Sequence, residues 1–482
     1  MLGKSDVTDL VDRLLGDYES QRGEVEKLDR WYRGRNDRPH MPKTSSAEYK
    51  ELQTRSASPW LGLVVTNTAQ ALFVDGYREA RSADNAKAWE YWQRNGMDAR
   101  QTAVHRAALA HGLSYATVLP GDQGPVIRGV SARKMFAVYD DPAEDEWPRY
   151  AIRAEVSKID GERHWMIRLY DDQAVYIASC PVGGGRVEYL DTMVHNVGVC
   201  PVVRFSNMLD LDGRSMGEVE PFIPLAARID QDTFDRLVVQ RFGAWLVRYI
   251  AGLAKPETDA EQRAQKMRLL VEDLLVAEDP DTKFGALPAT PLDGFISARD
   301  ADIRDLAAVS QTPPQYLLGQ MVNISADALA AAESSLMRKV GERKTAFGES
   351  WEQTLRLAAH VDGDTAAADD FTTEVRWRDT ESRSLSTTAD ALGKLATMLQ
   401  VPPEALWERV PGVSDQDVQR WKALKDSEDG MNQIADLLAG SAQGANPSGG
   451  EPAAGAPRSQ TPPSQPATNG QPVRAPSGRG TG

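Results

Sequence analysis

The stretch Gln311–Ala359, QTPPQYLLGQMVNISADALAAAESSLMRKVGERKTAFGESWEQTLRLAA, decides how the chain is read. Two prolines stop whatever precedes it, LLGQMVNIS makes a short apolar loop, and about 35 residues then read as one helix. Ser325 suits the N-cap, and Asp327 sits where the positive end of the helix dipole favours an acid. Leu329, Leu336, Val340, Phe347, Trp351 and Leu355 recur at spacings of seven and four, which lines them along one side. At 1.5 Å per residue the helix is roughly 50 Å long, which suits a shaft packed on neighbours better than a small enzyme domain. Gly341 and Gly348 weaken it, and Arg343 interrupts the apolar stripe, so a bend or a charged contact with another chain is expected there. A long core helix without a special role is the plain alternative.

Upstream, Ser215 with Glu218 gives a capping-box signature, Pro221 and Pro224 restart the helix, and only Gly243 interrupts the run from Leu225 to Ala251. Phe234, Val238, Trp245 and Tyr249 face one way, so this is a second shaft of roughly 40 Å, and Gly252 can stop it. Between the shafts the spacing predicts a helix over 261–277, a strand over 283–287 and a helical segment over 295–310. Both shafts leave an apolar side that only neighbouring copies could cover.

Before the first shaft the period is two. LSYATVLP, PVIRGV, MFAVYD, RYAIRAEV, HWMIRLYD, AVYIASC and RVEYL alternate apolar with polar between turn-rich gaps, so residues 113–207 read as an antiparallel sheet closed by Val202, Val203 and Phe205. Earlier still, 5–33, 60–72 and 99–110 read as helices, with Val74-Asp75-Gly76-Tyr77 as turn chemistry and His111-Gly112 as a stop. Downstream, FTTEVRWRD from Phe371 is a strand, and 385–399, 403–410 and 414–424 are short helices. Residues 441–482, almost entirely Ala, Gly, Pro, Ser, Gln and Thr, are expected to be a disordered tail.

The 482 residues leave room for two or three domains. A net charge of -15, from 70 acidic and 55 basic residues, argues against a surface that grips duplex by neutralising phosphates. Two cysteines, Cys180 and Cys200, are too few for a disulfide framework, which points to cytosolic folding. The first helix is charged and amphipathic, unlike a signal peptide, and the most apolar run, from Phe242, is too short to span a bilayer.

No catalytic constellation stands out. Neither a Walker-type GxxxxGK[ST] nor a Rossmann GxGxxG occurs, and His40, His105, His111, His164, His195 and His360 lack HExxH spacing and read as packing or surface residues. Asp210-Leu-Asp212-Gly213 resembles part of a calcium loop, but Met208 and Val219 would occupy its anchoring positions, so a turn is the better reading. The acidic run at 140–146 reads as a solvated loop, and no catalytic residue, metal or cofactor is expected.

Several local strings, taken in order, resemble the portal proteins of long-tailed double-stranded DNA bacteriophages. They are Pro201-Val-Val203-Arg-Phe205-Ser-Asn207, Gly213-Arg-Ser215 leading into the helix with Asp230, Thr312-Pro-Pro314, Leu317-Leu318, Asn323-Ile-Ser325-Ala-Asp327-Ala328-Leu329, Phe347-Gly-Glu-Ser-Trp351, Val375-Arg-Trp377-Arg-Asp379 and Arg383-Ser384. The resemblance implies an α+β, ring-forming chain, a homo-oligomer of typically twelve copies at one capsid vertex. It implies a wing over 1–214 of helices plus antiparallel sheet, a first stem helix over 215–252 and a clip insert over 253–294. A return stem helix over 295–316, a tunnel loop and long helix returning to the wing over 317–384, a helical crown over 385–440 and the tail over 441–482 would follow.

The partners so implied are double-stranded DNA in the channel, the terminase large subunit, a head-tail adaptor, and major capsid and scaffolding proteins, with no membrane. The implied tunnel loop is Gln320, Met321, Val322, Asn323, Ile324 and Ser325, whose polar and apolar side chains can touch a DNA backbone without pairing charge to it. Arg338, Lys339, Arg343 and Lys344 are the basic residues expected to contact DNA or a neighbouring subunit. Twelve copies would carry about twelve times -15, so an acidic bore would repel phosphate and let duplex slide. The rivals are a metal-dependent nucleic-acid enzyme and another capsid scaffold component.

Overall fold

The computed structural model describes residues 1–41, 47–79, 85–243, 248–251, 283–286, 290–319, 326–379, 385–410, 413 and 417–427. The chain divides into two units, Met1–Gln419 and Arg420–Gly482, and residues 420–427 of the second are helical.

The first unit begins with helix α1 (Lys4–Tyr32), whose apolar stripe serves two cores. Val7, Leu10, Val11, Leu14 and Tyr18 pack on Ile152, Trp165, Ile167, Leu169 and Tyr176 of a five-stranded antiparallel sheet, and the Tyr18 hydroxyl donates to the carbonyls of Arg133 and Ala154. About three turns further on, Leu28 and Trp31 enter the central core. That core is built by α3 (Trp60–Gln70), α4 (Trp89–Arg94) and α5 (Met97–His111), and by strand β1 (Val74–Glu79).

The strands expected over 113–207 all form, but as two sheets. β2 (Leu113–Leu119) lies between β3 (Val126–Ser131) and β9 (Val202–Ser206), while β4 (Met135–Val138), β5 (Tyr150–Ile159), β6 (Glu162–Tyr170), β7 (Ala174–Pro181) and β8 (Glu188–Val194) pair in sequence order. Alternation identifies a strand but not its partner, so the break between β3 and β4 has no signature in the sequence. β1 departs from expectation in its type as well as its partner. Val74-Asp75-Gly76-Tyr77 is strand, not turn, and pairs antiparallel with β12 (Thr373–Trp377), Tyr77 opposite Val375, about 300 residues away. Helix α2 (Ala47–Ser56) was not foreseen either.

The first shaft is shorter than expected. Residues 207–219 are irregular, a single 3-10 turn spans Glu220–Phe222, and α6 runs only from Ile223 to Gly243. Ser215 with Glu218 therefore does not cap a helix. The segment crosses the end of α5 so closely that a Cβ on Gly217 would lie 2.7–2.9 Å from backbone atoms of Leu109, Ala110 and Gly112. Beyond α6, β10 (Arg248–Ala251) is extended and pairs antiparallel with β11 (Lys283–Ala286), as the strand expected at 283–287 allowed. The helix expected over 261–277 and the tail over 441–482 lie outside the described residues.

Helix α7 (Asp293–Val309) packs against α6, short α8 (Pro314–Leu318) follows the two prolines, and α9 (Ala326–Asp362) is one unbroken helix through Gly341 and Gly348. Its stripe is as expected, but its cover is not. Leu336, Val340, Phe347, Trp351 and Leu355 are buried within this chain, the Trp351 ring set edge-on to Trp92 at 4.8 Å and to Phe205 at 4.6 Å. Its indole N–H donates to Nε2 of His105, 2.8 Å away, and burial lowers the pKa of that imidazole to about 3. Over this length the helix needs no neighbouring copy, because α4, α5 and β9 already close over it.

Candidate functional site at the foot of the long helix

Gln320, Met321, Val322, Asn323, Ile324 and Ser325 lie outside the described residues, but both sides of that loop are on view. On the incoming side the Thr312-Pro-Pro314 string makes a tight stop. The Thr312 amide donates to the Ala307 carbonyl, the Ser310 hydroxyl to the Thr312 hydroxyl at 3.0 Å, and Gln311 turns through φ +54. Leu317 then anchors α8 in the central core, and Gly319, at φ +66, supplies the left-handed residue that releases the chain into the loop. On the outgoing side α9 is tied back to α8, the Tyr316 hydroxyl donating to Glu333 at 2.6 Å. That bond, with burial second, raises the tyrosine pKa to about 12.

The loop's outgoing helix is locked by a buried group of charges. Lys339 Nζ donates to the Ser310 carbonyl at 2.8 Å and to Glu218 Oε2 at 3.2 Å, and Arg343 Nη2 donates to Glu218 Oε1 at 3.3 Å. Lys339, Arg343 and Glu218 are all buried, Arg343 at 2% exposure, and the second Arg343 nitrogen reaches the exposed carboxylate of Glu342 at 3.0 Å. Burial pulls the Lys339 pKa down, and the adjoining Glu218 charge opposes it. Glu218 is held in turn by its own amide on the Leu109 carbonyl, at the Gly217 crossing. One carboxylate thus ties the segment before α6, the end of α7 and the foot of α9. Removing it would strand two buried cations, a loss of roughly 3–5 kcal/mol.

The sequence pointed to Lys339 and Arg343 as contacts with DNA or a neighbouring subunit, and the structure seats both inside the chain on Glu218. The charged contact expected at Arg343 exists, but with the same chain. Arg338 is exposed, and Lys344 donates to the Arg378 carbonyl at 3.3 Å. Glu218 was missed in this role because its spacing from Ser215 imitates a helix cap, and nothing local announces a partner more than a hundred residues on.

Two further groupings flank the site. On α6 and α7, Arg228 grips Asp302 with two nitrogens, at 2.7 and 2.8 Å, and reaches Asp305 at 3.4 Å. Burial, then repulsion from Asp302, raises the pKa of nearby Asp232. Lower on α6, buried Asp230 accepts from Asn36 Nδ2 at 2.6 Å and from the Ser58 amide at 3.1 Å, and burial raises its carboxyl to about 6. Among the described residues no three His, Cys, Asp or Glu side chains cluster as a metal site would, and no helix is long and apolar enough to cross a membrane.

A family model described as "Phage portal protein, SPP1 Gp6-like" matches residues 11–431, which puts the chain among the structural proteins of tailed-phage capsids. The portal protein of Mycobacterium phage L5 is 31% identical over 358 residues, 69% of this chain and 71% of that protein. The portal protein of Mycobacterium phage D29 is 30% identical over the same shares. The chain belongs to the SPP1 Gp6-like phage portal protein family.

Proposed function

We propose that copies of this chain form a ring at one capsid vertex, with twelve subunits, and that the ring is the channel through which duplex DNA is packaged and ejected. The family match over residues 11–431 carries this reading, and it disfavours a nucleic-acid enzyme. In the ring, residues 1–214 are the wing, α6 and α7 the stem pair, 320–325 the loop that narrows the bore, and 385–440 the crown. Pairing of β10 with β11 supports a discrete clip, since it closes the intervening insert at its base. The terminase large subunit and a head-tail adaptor dock on the clip in turn, and major capsid and scaffolding proteins meet the wing.

The acidic balance of the chain suits a conduit, because a wall that repels phosphate sets no register on sliding duplex. Arg338 and Lys344 remain the candidates on α9 for contact with DNA or a neighbouring subunit, Lys339 and Arg343 being committed to Glu218. Negative-stain microscopy of the purified chain tests the ring. A wide annulus with a central hole is expected, and monodisperse single copies under assembly conditions would overturn it. Cross-linking from positions 320–325 to packaged DNA tests the loop, and its consistent absence would remove that assignment.

A further inference from the structure

The five-stranded sheet ends differently on its two sides. β4 is short and lies against Tyr115, Val130 and Ala132 of the smaller sheet, with Gln21 Nε2 donating to the Met135 carbonyl. β8, at the far side, pairs only with β7 among the described residues. The His195 amide donates to Gln173 just before β7, so the period of two turns the amides of Thr192 and Val194 away from β7. Among the described residues the Thr192 amide is met only by the neighbouring Asp191 carboxylate, at 2.8 Å. Open strand edges are usually protected by charge, proline, a bulge or a covering element; residues 188–194, EYLDTMV, contain neither lysine nor proline, and the bulge between Tyr189 and Asp191 leaves 191–194 in regular register with β7. Leu190, Met193 and Val194 are 45%, 58% and 51% exposed, so the strand also offers apolar surface.

Acid is in excess beside this edge. Glu188 and Asp191 are the strand's ionisable acids and no base accompanies them. A groove of about 880 Å³ runs from the start of β8 to α1, lined by Asp9, Asp12 and Glu188 against Lys4 and Arg186. Lys4 is engaged over the Tyr189 ring, 5.1 Å from its centroid. A second β8 edge would bring a second pair of exposed carboxylates alongside the first, a like-charge approach that disfavours pairing between two copies.

We propose that the β8 edge is a docking site for an extended segment of another capsid-vertex protein, alternating basic with apolar or β-branched residues, which adds a sixth strand to the sheet. Main-chain hydrogen bonds supply the affinity, the Thr192 amide exchanging Asp191 for an incoming carbonyl. Asp191, so released, and exposed Glu188 select lysine or arginine. The inference rests on the portal reading only for where such a segment comes from.

The test uses the full chain and two blocked octapeptides, one alternating Lys with Val and Thr, the other its Glu counterpart, read by fluorescence anisotropy. The Lys peptide should bind at least tenfold more tightly than the Glu peptide, and the preference should shrink with salt and reverse in a Glu188→Lys/Asp191→Lys variant. Thr192→Pro, which deletes an outward amide at a position where an edge strand tolerates proline, should weaken the Lys peptide at least tenfold. Met193→Lys provides a second blocked edge if the proline variant melts early. Equal binding of the two peptides, or binding indifferent to all variants, would overturn the proposal. So would efficient cross-linking of one copy to another through a photoreactive residue at 193, which would make a second copy the occupant. A ring seen by microscopy with no peptide discrimination would sink this inference while leaving the portal reading intact.

Discussion

Glu218 is the residue on which the foot of the long helix turns, since two buried cations and a helix-terminal carbonyl converge around it. Glu218→Gln keeps the shape and removes the charge, and should cost about 3 kcal/mol, read from the urea midpoint at constant slope. Restoring stability by a second change, Arg343→Met, would show that the stranded cation causes the loss.

The buried titrating groups set opposite trends with pH. Asp230, raised to about 6, holds a proton in the folded chain that the unfolded chain has released, so its contribution falls as pH rises from about 4 to about 6. His105, lowered to about 3, stays neutral when folded while the unfolded imidazole charges below about 6.5, so its contribution falls as pH drops through that range. Burial raises the pKa of Asp29, but bonds from His111 and Arg33, with Arg133 nearby, outweigh it and hold the carboxylate below its usual range, so its contribution also fades in acid. Chemical denaturation between pH 3 and 7 should show a flatter acid limb in His105→Gln, which keeps an acceptor for Trp351, and a flatter slope between pH 4 and 6 in Asp230→Asn. Unchanged profiles would exclude these two groups as the source. Neither role was legible in the sequence, where His105 could be read only as a packing histidine and Asp230 only as part of a motif.

At the scale of elements, α9 was the most legible feature, because spacings of seven and four identify a helix face whatever covers it. What covers it was not legible, since Trp92, His105 and Phe205 come from distant elements. Trp351→Ala should cost about 3–5 kcal/mol, with loss of the His105 bond as part of the effect, measured by thermal or denaturant unfolding. The Gly217 crossing gives a sharper contrast. Gly217→Ala drives a methyl into three backbone atoms that cannot rotate away and should cost about 1–3 kcal/mol, whereas Gly341→Ala, with open space around its Cβ, should be neutral or stabilising. The capping-box spacing at Ser215 and the turn-like residues of β1 show a further limit, since there a local pattern was outvoted by distant packing and even the element's type was misread.

For the whole molecule, a net charge of -15 per chain would make assembly of the proposed ring work against mutual repulsion. The fraction of ring, measured by mass photometry, should rise as ionic strength goes from about 0.01 M to about 0.15 M, where the screening length shrinks to about 8 Å. A ring held together chiefly by intersubunit ion pairs would do the reverse. The family and the general α+β character could be recognised from ordered strings in the sequence, whereas the apolar stripe of α9, read there as a face for neighbouring copies, is covered by the chain itself.

The long helix is clamped from Leu336 to Leu355, roughly 28 Å of its axis at 1.5 Å per residue, and bolted by Glu218 near the start of that clamp. Its foot is held at two points, by the Tyr316 bond to Glu333 and by Glu218. In the proposed channel, a push delivered at 320–325 by the moving polymer would pass through those two ties and arrive at the aromatic core as axial load.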